Sequence, residues 1–249
     1  MFVVGGVGGN VNNLFEFGQA FGQHRPLVGV QTRGVMGHRP HESIEAMATE
    51  HIRYIQLRQP HGPYLIAGFS GGGLTAFEIA RQLKAMGEDV GFLGLIDTDA
   101  PNFNPPLEKY SANPIVAVQK IFQRIKRDGL KVKLMSLPRK ILPQRFFDWI
   151  DSRGNEDLSR FMQLMERWEL AAEKYQGGTF QGDMTLFRSA PQDSVQDAIE
   201  AFDPLLGWQS SIDGNITAVH SSVGHLEMIA DDQAVWMAEK MLEAIAACE

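Results

Sequence analysis

The sequence has little or nothing of three features that define whole classes of protein. It has one cysteine among 249 residues, Cys248, so an intrachain disulfide is impossible and a reducing compartment, the cytoplasm, is expected. It has no apolar run near the ~20 residues of a membrane span, and no basic stretch leading into an apolar run at its start, so neither a membrane segment nor a secretory signal is expected. Its net charge of −7 argues against general binding to nucleic acid.

The negative charge is distributed unevenly along the chain. Residues 120–145 contain nine lysines or arginines and one acidic residue, Asp128, so this segment carries +8 and the remainder carries −15. Charged runs of this kind usually form a solvated helical face. The alternative interpretation is a surface that docks an acidic partner.

Short apolar runs alternate with amphipathic stretches in the first part of the chain. Runs at 2–4, 26–31, 64–69 and 89–97 predict buried strands, and the stretches between them carry apolar residues at helical spacing. This rhythm predicts an α/β domain built on a mostly parallel, doubly wound sheet. Strands are predicted again at 183–188 and 215–219, and a final helix follows.

The rhythm is interrupted at residues 101–181, where amphipathic segments are punctuated by prolines. We predict a helical lid inserted over the edge of the sheet, within a single domain that spans residues 1–249. The alternative is a small helical subdomain without a gating role. Because the first predicted strand begins at Phe2, we also expect the chain to be part of something longer, with residues upstream of Met1.

The clearest chemical pattern surrounds Ser70. The run Gly68-Phe69-Ser70-Gly71-Gly72 has the form Gly-x-Ser-x-Gly, with a predicted strand before it and a predicted helix after it. That context is typical of a nucleophile elbow, in which glycines let the strand and helix pack closely and the helix N-terminus faces developing negative charge. We predict Ser70 as a nucleophile. The alternative is a glycine-rich turn with an incidental serine.

A serine nucleophile needs a base that titrates near neutral pH and an acid that orients the base. His225, in a Gly-His loop after the last predicted strand, is the favoured base, and His220 at the end of that strand is its competitor. Asp97 ends the strand that follows the elbow helix and is the favoured acid. Asp193, after the next strand, and Asp99 are alternatives.

The glycine-rich loop at residues 5–9 follows the first predicted strand. Its spacing differs from Gly-x-Gly-x-x-Gly, and no acidic residue follows about 20 residues later, so no dinucleotide cofactor is expected. We predict instead that the backbone N–H groups of Val7 and Gly71 form an oxyanion hole. His38 and His41 have no acidic or cysteine partner at a useful spacing, so no metal site is expected.

These motifs together resemble the releasing (type I) thioesterase domain of nonribosomal peptide and polyketide synthetases. The resemblance is carried by Gly-Pro-Tyr-Leu-Ile-Ala-Gly-Phe-Ser-Gly-Gly-Gly at 62–73, Ala-Phe-Glu-Ile-Ala-Arg-Gln-Leu at 76–83 and Leu-Ile-Asp-Thr at 95–98. The glycine loop, the segment 26–31, the Pro60–Pro63 lead-in and the Gly-His loop are similar as well. The resemblance covers nearly the whole chain and is weakest in the predicted lid.

The resemblance implies an α/β-hydrolase fold with Ser70, Asp97 and His225 as a catalytic triad and with no cofactor in the chain itself. It implies a substrate held as a thioester on the 4′-phosphopantetheine arm of an acyl or peptidyl carrier domain, upstream in a larger synthetase. Ser70 would take the acyl, peptidyl or polyketide chain, and water or an internal nucleophile would release it. Residues 120–145 would then help the carrier to dock.

Two departures from the family pattern are visible. Gly5-Gly6-Val7 stands where a His-Pro pair is common, and Gly71 is smaller than the usual residue. Three other functions compete with the releasing thioesterase. They are a free-standing editing (type II) thioesterase, an esterase acting on diffusible substrates, and a catalytically silent binding module.

Overall fold

A computed structural model of the protein describes residues 1–103, 163–192, 199 and 201–249. Its strands are β1 (Phe2–Val4), β2 (Val28–Val30), β3 (Tyr64–Phe69), β4 (Val90–Ile96), β5 (Phe180–Gln181), β6 (Met184–Arg188), β7 (Ile212–Asp213) and β8 (Ile216–His220). Six of them form one sheet in the order β2-β1-β3-β4-β6-β8, and every pairing in it is parallel. The predicted parallel α/β sheet is therefore confirmed.

Helices connect and cover these strands. They are α1 (Phe15–Gly22), α2 (Ile44–Arg58), α3 (Gly72–Ala85), α4, of which residues 163–174 are described, and α5 (Asp231–Ala246). Ser43 caps α2, since its hydroxyl accepts a hydrogen bond of 3.1 Å from the Ala46 N–H. Short 3₁₀ turns lie at Asn12–Leu14, Arg33–Met36, Trp208–Ser210 and Glu227–Ile229.

The sheet is buried on both faces because its central strands are apolar on both sides. Within β3, Ile66 belongs to an apolar cluster with residues of α2 and α3, such as Phe77. The next residue, Ala67, belongs to a second cluster with residues of α1 and α5, such as Phe17 and Met237. Side chains alternate between the faces of a strand, so one strand anchors both layers of helices.

The register of the parallel strands sets which side chains meet at the carboxyl edge of the sheet. Phe69, the last residue of β3, pairs with Ile96, the last residue of β4, and Ile96 pairs with Phe187 of β6. Ser70 and Asp97 therefore leave neighbouring strands at the same level. This is the edge at which ligands bind in open α/β sheets.

Some of the sequence predictions fall on residues outside the described part of the chain. Residues 104–162 are among them, and they include most of the predicted lid and all of the basic segment 120–145. Asp193 lies outside it too. At the end of the predicted insertion, β5 pairs in parallel with β7 in a separate two-stranded sheet, so strand structure resumes slightly earlier than the sequence indicated. None of the helices described is both long and apolar enough to cross a membrane.

Candidate active site

Ser70 lies on a sharp turn between β3 and α3. Its φ of +53° is in the left-handed region, which a residue with a side chain seldom adopts. The turn is held by hydrogen bonds from the Ser70 N–H to the carbonyl of Ile96 (2.7 Å) and from the Gly73 N–H to the carbonyl of Ser70 (2.9 Å). A Cβ on Gly68 would lie 2.6 Å from the Gly72 carbonyl oxygen, so this closely packed turn excludes larger residues there.

Thr98 braces the turn from the neighbouring strand. Its hydroxyl donates a hydrogen bond of 2.8 Å to the carbonyl of Ser70, and its own carbonyl accepts one of 2.7 Å from the indole N–H of Trp208. A Cβ on Gly73 would collide with the same hydroxyl. Sequence analysis did not assign this role to Thr98, although the residue directly follows the predicted acid.

The carboxylate of Asp97 faces the ring of His225. The His225 Nδ1 and the Asp97 Oδ2 are 2.6 Å apart, although 128 residues separate the two in sequence. Ser189, the residue after β6, donates two further hydrogen bonds to the same carboxylate, one from its hydroxyl (2.7 Å) and one from its N–H (3.1 Å). Burial raises the pKa of Asp97, but the hydrogen bonds from His225 and Ser189 outweigh it and hold the pKa below its usual value. Asp97 is therefore ionised at neutral pH.

The ring of His225 is held next to the elbow by contacts on two sides. It stacks on Phe69, the residue before Ser70, with ring centroids 4.9 Å apart and an angle of 22° between the planes. The loop before it is closed by the Gly224 N–H, which donates a hydrogen bond of 3.0 Å to the Glu227 carboxylate. About a third of the His225 side chain is exposed, 33%, so the ring is accessible from outside.

The competing residues are placed differently. His220 is the exposed last residue of β8, and it is His225 that contacts Asp97. Asp99 is exposed to solvent, whereas the Asp97 carboxylate lies 2.6 Å from the His225 ring.

The glycine loop meets the elbow from the side of β1. A Cβ on Gly71 would lie 2.6 Å from Cγ2 of Val7, and a Cβ on Gly72 would collide with the carbonyl of Gly5. Val7 and Gly71, the two predicted oxyanion donors, are thus in contact. Gly71 is also the residue immediately before α3, so its N–H belongs to the free N-terminal groups of that helix.

His38 and His41, which were considered as metal ligands, lie in different surroundings. His41 is buried with Nε2 2.8 Å from the Glu50 carboxylate, whereas His38 is exposed. Within the described ranges, no cluster of three or more His, Cys, Asp or Glu side chains could hold a metal ion.

A parallel sheet flanked by helices, with a strained serine after its third strand, defines the α/β-hydrolase class. A profile of the thioesterase domain matches residues 1–247, and the chain belongs to the thioesterase domain family. Its members are hydrolases. The similarity noted in the sequence is therefore confirmed.

The curated relatives of the chain are synthetases. Atromentin synthetase of Tapinella panuoides is 41% identical over 97 residues, which is 39% of this chain and 10% of the relative. Nonribosomal peptide synthetase pngA of Aspergillus terreus is 30% identical over 178 residues, 68% of this chain and 18% of the relative. The chain thus spans a tenth to a fifth of the length of these relatives.

Solved structures support the fold. A four-domain nonribosomal peptide synthetase bound to AMP and glycine aligns with a TM-score of 0.73 at 22% identity, covering 97% of this chain and 19% of that one. The NocB thioesterase domain, in covalent complex with a fluorophosphonate nocardicin G analogue, aligns with a TM-score of 0.67 at 19% identity. That alignment covers 98% of this chain and 93% of NocB.

Proposed function

We propose that this chain is a serine thioesterase that releases an acyl, peptidyl or polyketide chain from the phosphopantetheine thioester of a carrier domain. The observation that carries the proposal is the 2.6 Å contact between Asp97 and His225, beside a serine at φ +53° in a strand–turn–helix elbow. Family membership supports the thioester as the bond cleaved. The synthetase relatives support a carrier domain as the partner that presents it.

In the proposed first step, the Ser70 oxygen attacks the thioester carbonyl and His225 accepts the serine proton. Asp97 holds the His225 Nδ1–H and stabilises the imidazolium that forms. The N–H groups of Val7 and Gly71 donate to the oxygen on which negative charge develops. The carbon–sulfur bond then breaks, and the pantetheine thiol leaves with the proton that His225 returns.

In the second step, water or a nucleophile within the acyl chain attacks the Ser70 ester. His225 accepts a proton from the attacking group and returns it to the Ser70 oxygen as the ester bond breaks. The product is a free acid when water attacks and a cyclic product when the chain attacks itself. No cofactor takes part in either step, since the carrier arm belongs to the substrate.

The test is intact-protein mass spectrometry after mixing the protein with acyl-pantetheine thioesters. We expect a mass increase equal to the acyl group, located on the Ser70 peptide after digestion, which forms and then decays. Ser70→Ala should abolish the adduct and lower turnover on the order of 10⁶-fold, because removing the nucleophile disables the triad as a unit. Turnover retained by Ser70→Ala would contradict the proposal.

The same assay can test the carrier domain as partner separately from the reaction at Ser70. The same acyl group is offered on pantetheine and on a carrier domain bearing its phosphopantetheine arm. A higher kcat/KM with the carrier supports the proposed partner. Equal values would remove the carrier from the proposal and favour an esterase that acts on diffusible substrates.

A further inference from the structure

Helix α4 places one face against the loops at the carboxyl edge of the sheet. Leu164, Trp168, Ala171 and Tyr175 follow one another at intervals of four, three and four residues, which is the spacing of a single helical face. Leu164, Ala171 and Tyr175 are buried, and Trp168 is partly buried against the same core. This face therefore has a fixed position on the body of the domain.

The end of α4 is tied to the elbow helix. Tyr175, one residue beyond the described part of α4, donates a hydrogen bond of 2.7 Å to the buried carboxylate of Glu78 in α3. Arg81 and Gln82 donate to the same carboxylate at 2.6 and 2.9 Å. Because α3 begins directly after the elbow, this network fixes α4 relative to Ser70.

Trp168 contacts the elbow at Gly71. A Cβ on Gly71 would lie 2.6 Å from Cζ2 and 2.7 Å from Cη2 of the Trp168 indole. The backbone does not require glycine here, since φ and ψ of Gly71 are −54° and −28°, ordinary right-handed helical values. The indole and the Val7 side chain together fill the space that a side chain at position 71 would need. This contact gives a physical reason for the small residue after the serine.

Building on the proposed function, we propose that Trp168 is a specificity-determining residue that limits the size of the substituents on the carbon next to the thioester carbonyl. The indole edge touches Gly71, which Val7 also contacts, and the N–H groups of these two residues are the proposed donors to the carbonyl oxygen. In this proposal, the carbon bonded to that carbonyl lies beside the indole. A methyl branch on this carbon has to fit against the indole, whose helix is held in place. A close-packed interior accommodates added volume poorly.

The test compares straight and branched thioesters of equal carbon number, butyryl- and isobutyryl-pantetheine. For each variant we take the ratio of kcat/KM for the branched substrate to that for the straight one. Trp168→Ala should raise this ratio by about 10-fold or more, because one misfitting methyl in a tight pocket changes selectivity roughly 10- to 200-fold. Trp168→Leu, which keeps apolar bulk but removes the benzo edge, should raise it in the same direction and serves if Trp168→Ala does not fold.

The matched control is Leu164→Ala, one turn earlier on the same face. Leu164 packs against Gly34 beyond β2, so this change weakens the seating of α4 while leaving the Gly71 contact in place. Its ratio should stay within about twofold of wild type. An equal rise in both variants, or no rise in either Trp168 variant, would overturn the role of Trp168 while leaving the thioesterase activity intact. The proposed function fails separately, if no acyl-pantetheine or carrier-bound thioester forms an adduct on Ser70.

A second readout tests the contact without using activity. The drop in unfolding temperature caused by Gly71→Ala should be smaller when Trp168 is already alanine, because the new methyl then meets one obstacle fewer. Residues in direct contact depart from additivity, whereas distant ones add. Strictly additive temperature shifts would show that the indole does not occupy the space at position 71.

Discussion

Replacing Ser189 by alanine removes one of the three hydrogen bonds that residues in the described ranges make to the Asp97 carboxylate. The lost donor is the hydroxyl at 2.7 Å, while the His225 ring and the Ser189 N–H remain. Hydrogen bonds to charged groups contribute about 1.5–3 kcal/mol. The Asp97 side chain is 14% exposed, so water replaces the lost donor poorly. We expect Ser189→Ala to lower the free energy of unfolding at pH 7 by about 1.5–3 kcal/mol.

The stability loss caused by Ser189→Ala should depend on pH. The folded pKa of Asp97 is depressed, so its contribution to stability is present above its unfolded pKa, about 3.9, and is lost as pH falls through the folded pKa. The difference between wild type and Ser189→Ala should thus be largest at neutral pH. It should shrink only as the pH falls through the folded pKa of Asp97, which lies below its ordinary value.

The assay is urea unfolding at a series of pH values from 7 to 3. Ser221→Ala is the matched control. Ser221 is buried in the next loop, and its hydroxyl accepts from the Val223 N–H at 3.2 Å instead of contacting Asp97. Its cost should not follow the titration of Asp97. A Ser189→Ala variant that costs nothing at pH 7, or whose cost grows as the pH falls, would refute the reasoning.

Three further predictions concern residues around the site. Gly73→Ala should lower kcat and cost about 1–3 kcal/mol, because its methyl displaces Thr98; an unchanged kcat in steady-state assays would contradict this. Burial, and to a lesser extent the neighbouring His41, lowers the pKa of His51 to about 4. The neutral ring therefore contributes up to about 3 kcal/mol to the free energy of unfolding above pH 6.5, and this contribution is lost as the pH falls through 4. In urea unfolding, the free energy of unfolding of His51→Leu should fall less between pH 6.5 and pH 4 than that of the wild type, and an equal fall would contradict this. Tyr175→Phe removes a donor to buried Glu78 and should lower the unfolding free energy by about 1.5–3 kcal/mol, with no change as the contrary result.

Much of the fold could be read from local pattern. The predicted strands at 2–4, 64–69 and 89–97 correspond to β1, β3 and β4. They could be predicted because a strand buried on both faces is a continuous apolar run in the sequence. The two-residue strands β5 and β7 were not predicted. Their pairing depends on segments more than 30 residues apart meeting in space, and two residues are too few to show a period.

Some parts of the candidate site could be predicted from the sequence and others could not. The elbow of Ser70 was predictable because strand, turn and helix lie within one continuous stretch of chain. The orienting acid was open among Asp97, Asp99 and Asp193, since sequence places each near a strand end without stating which carboxylate faces the histidine. Ser189 carried a usable signal, as a polar residue directly after an apolar strand, but its partner could not be named from that signal.

The sequence by itself determined the class of fold, the position of the serine elbow and the thioesterase family, because each rests on residues close together in the chain. Only the tertiary structure decided that Asp97 contacts His225 across 128 residues and that Ser189 and Thr98 brace this region. It alone decided that Trp168 occupies the space beside Gly71. These contacts depend on strand register and helix packing, which fix distances of a few ångströms between segments that sequence spacing leaves unrelated.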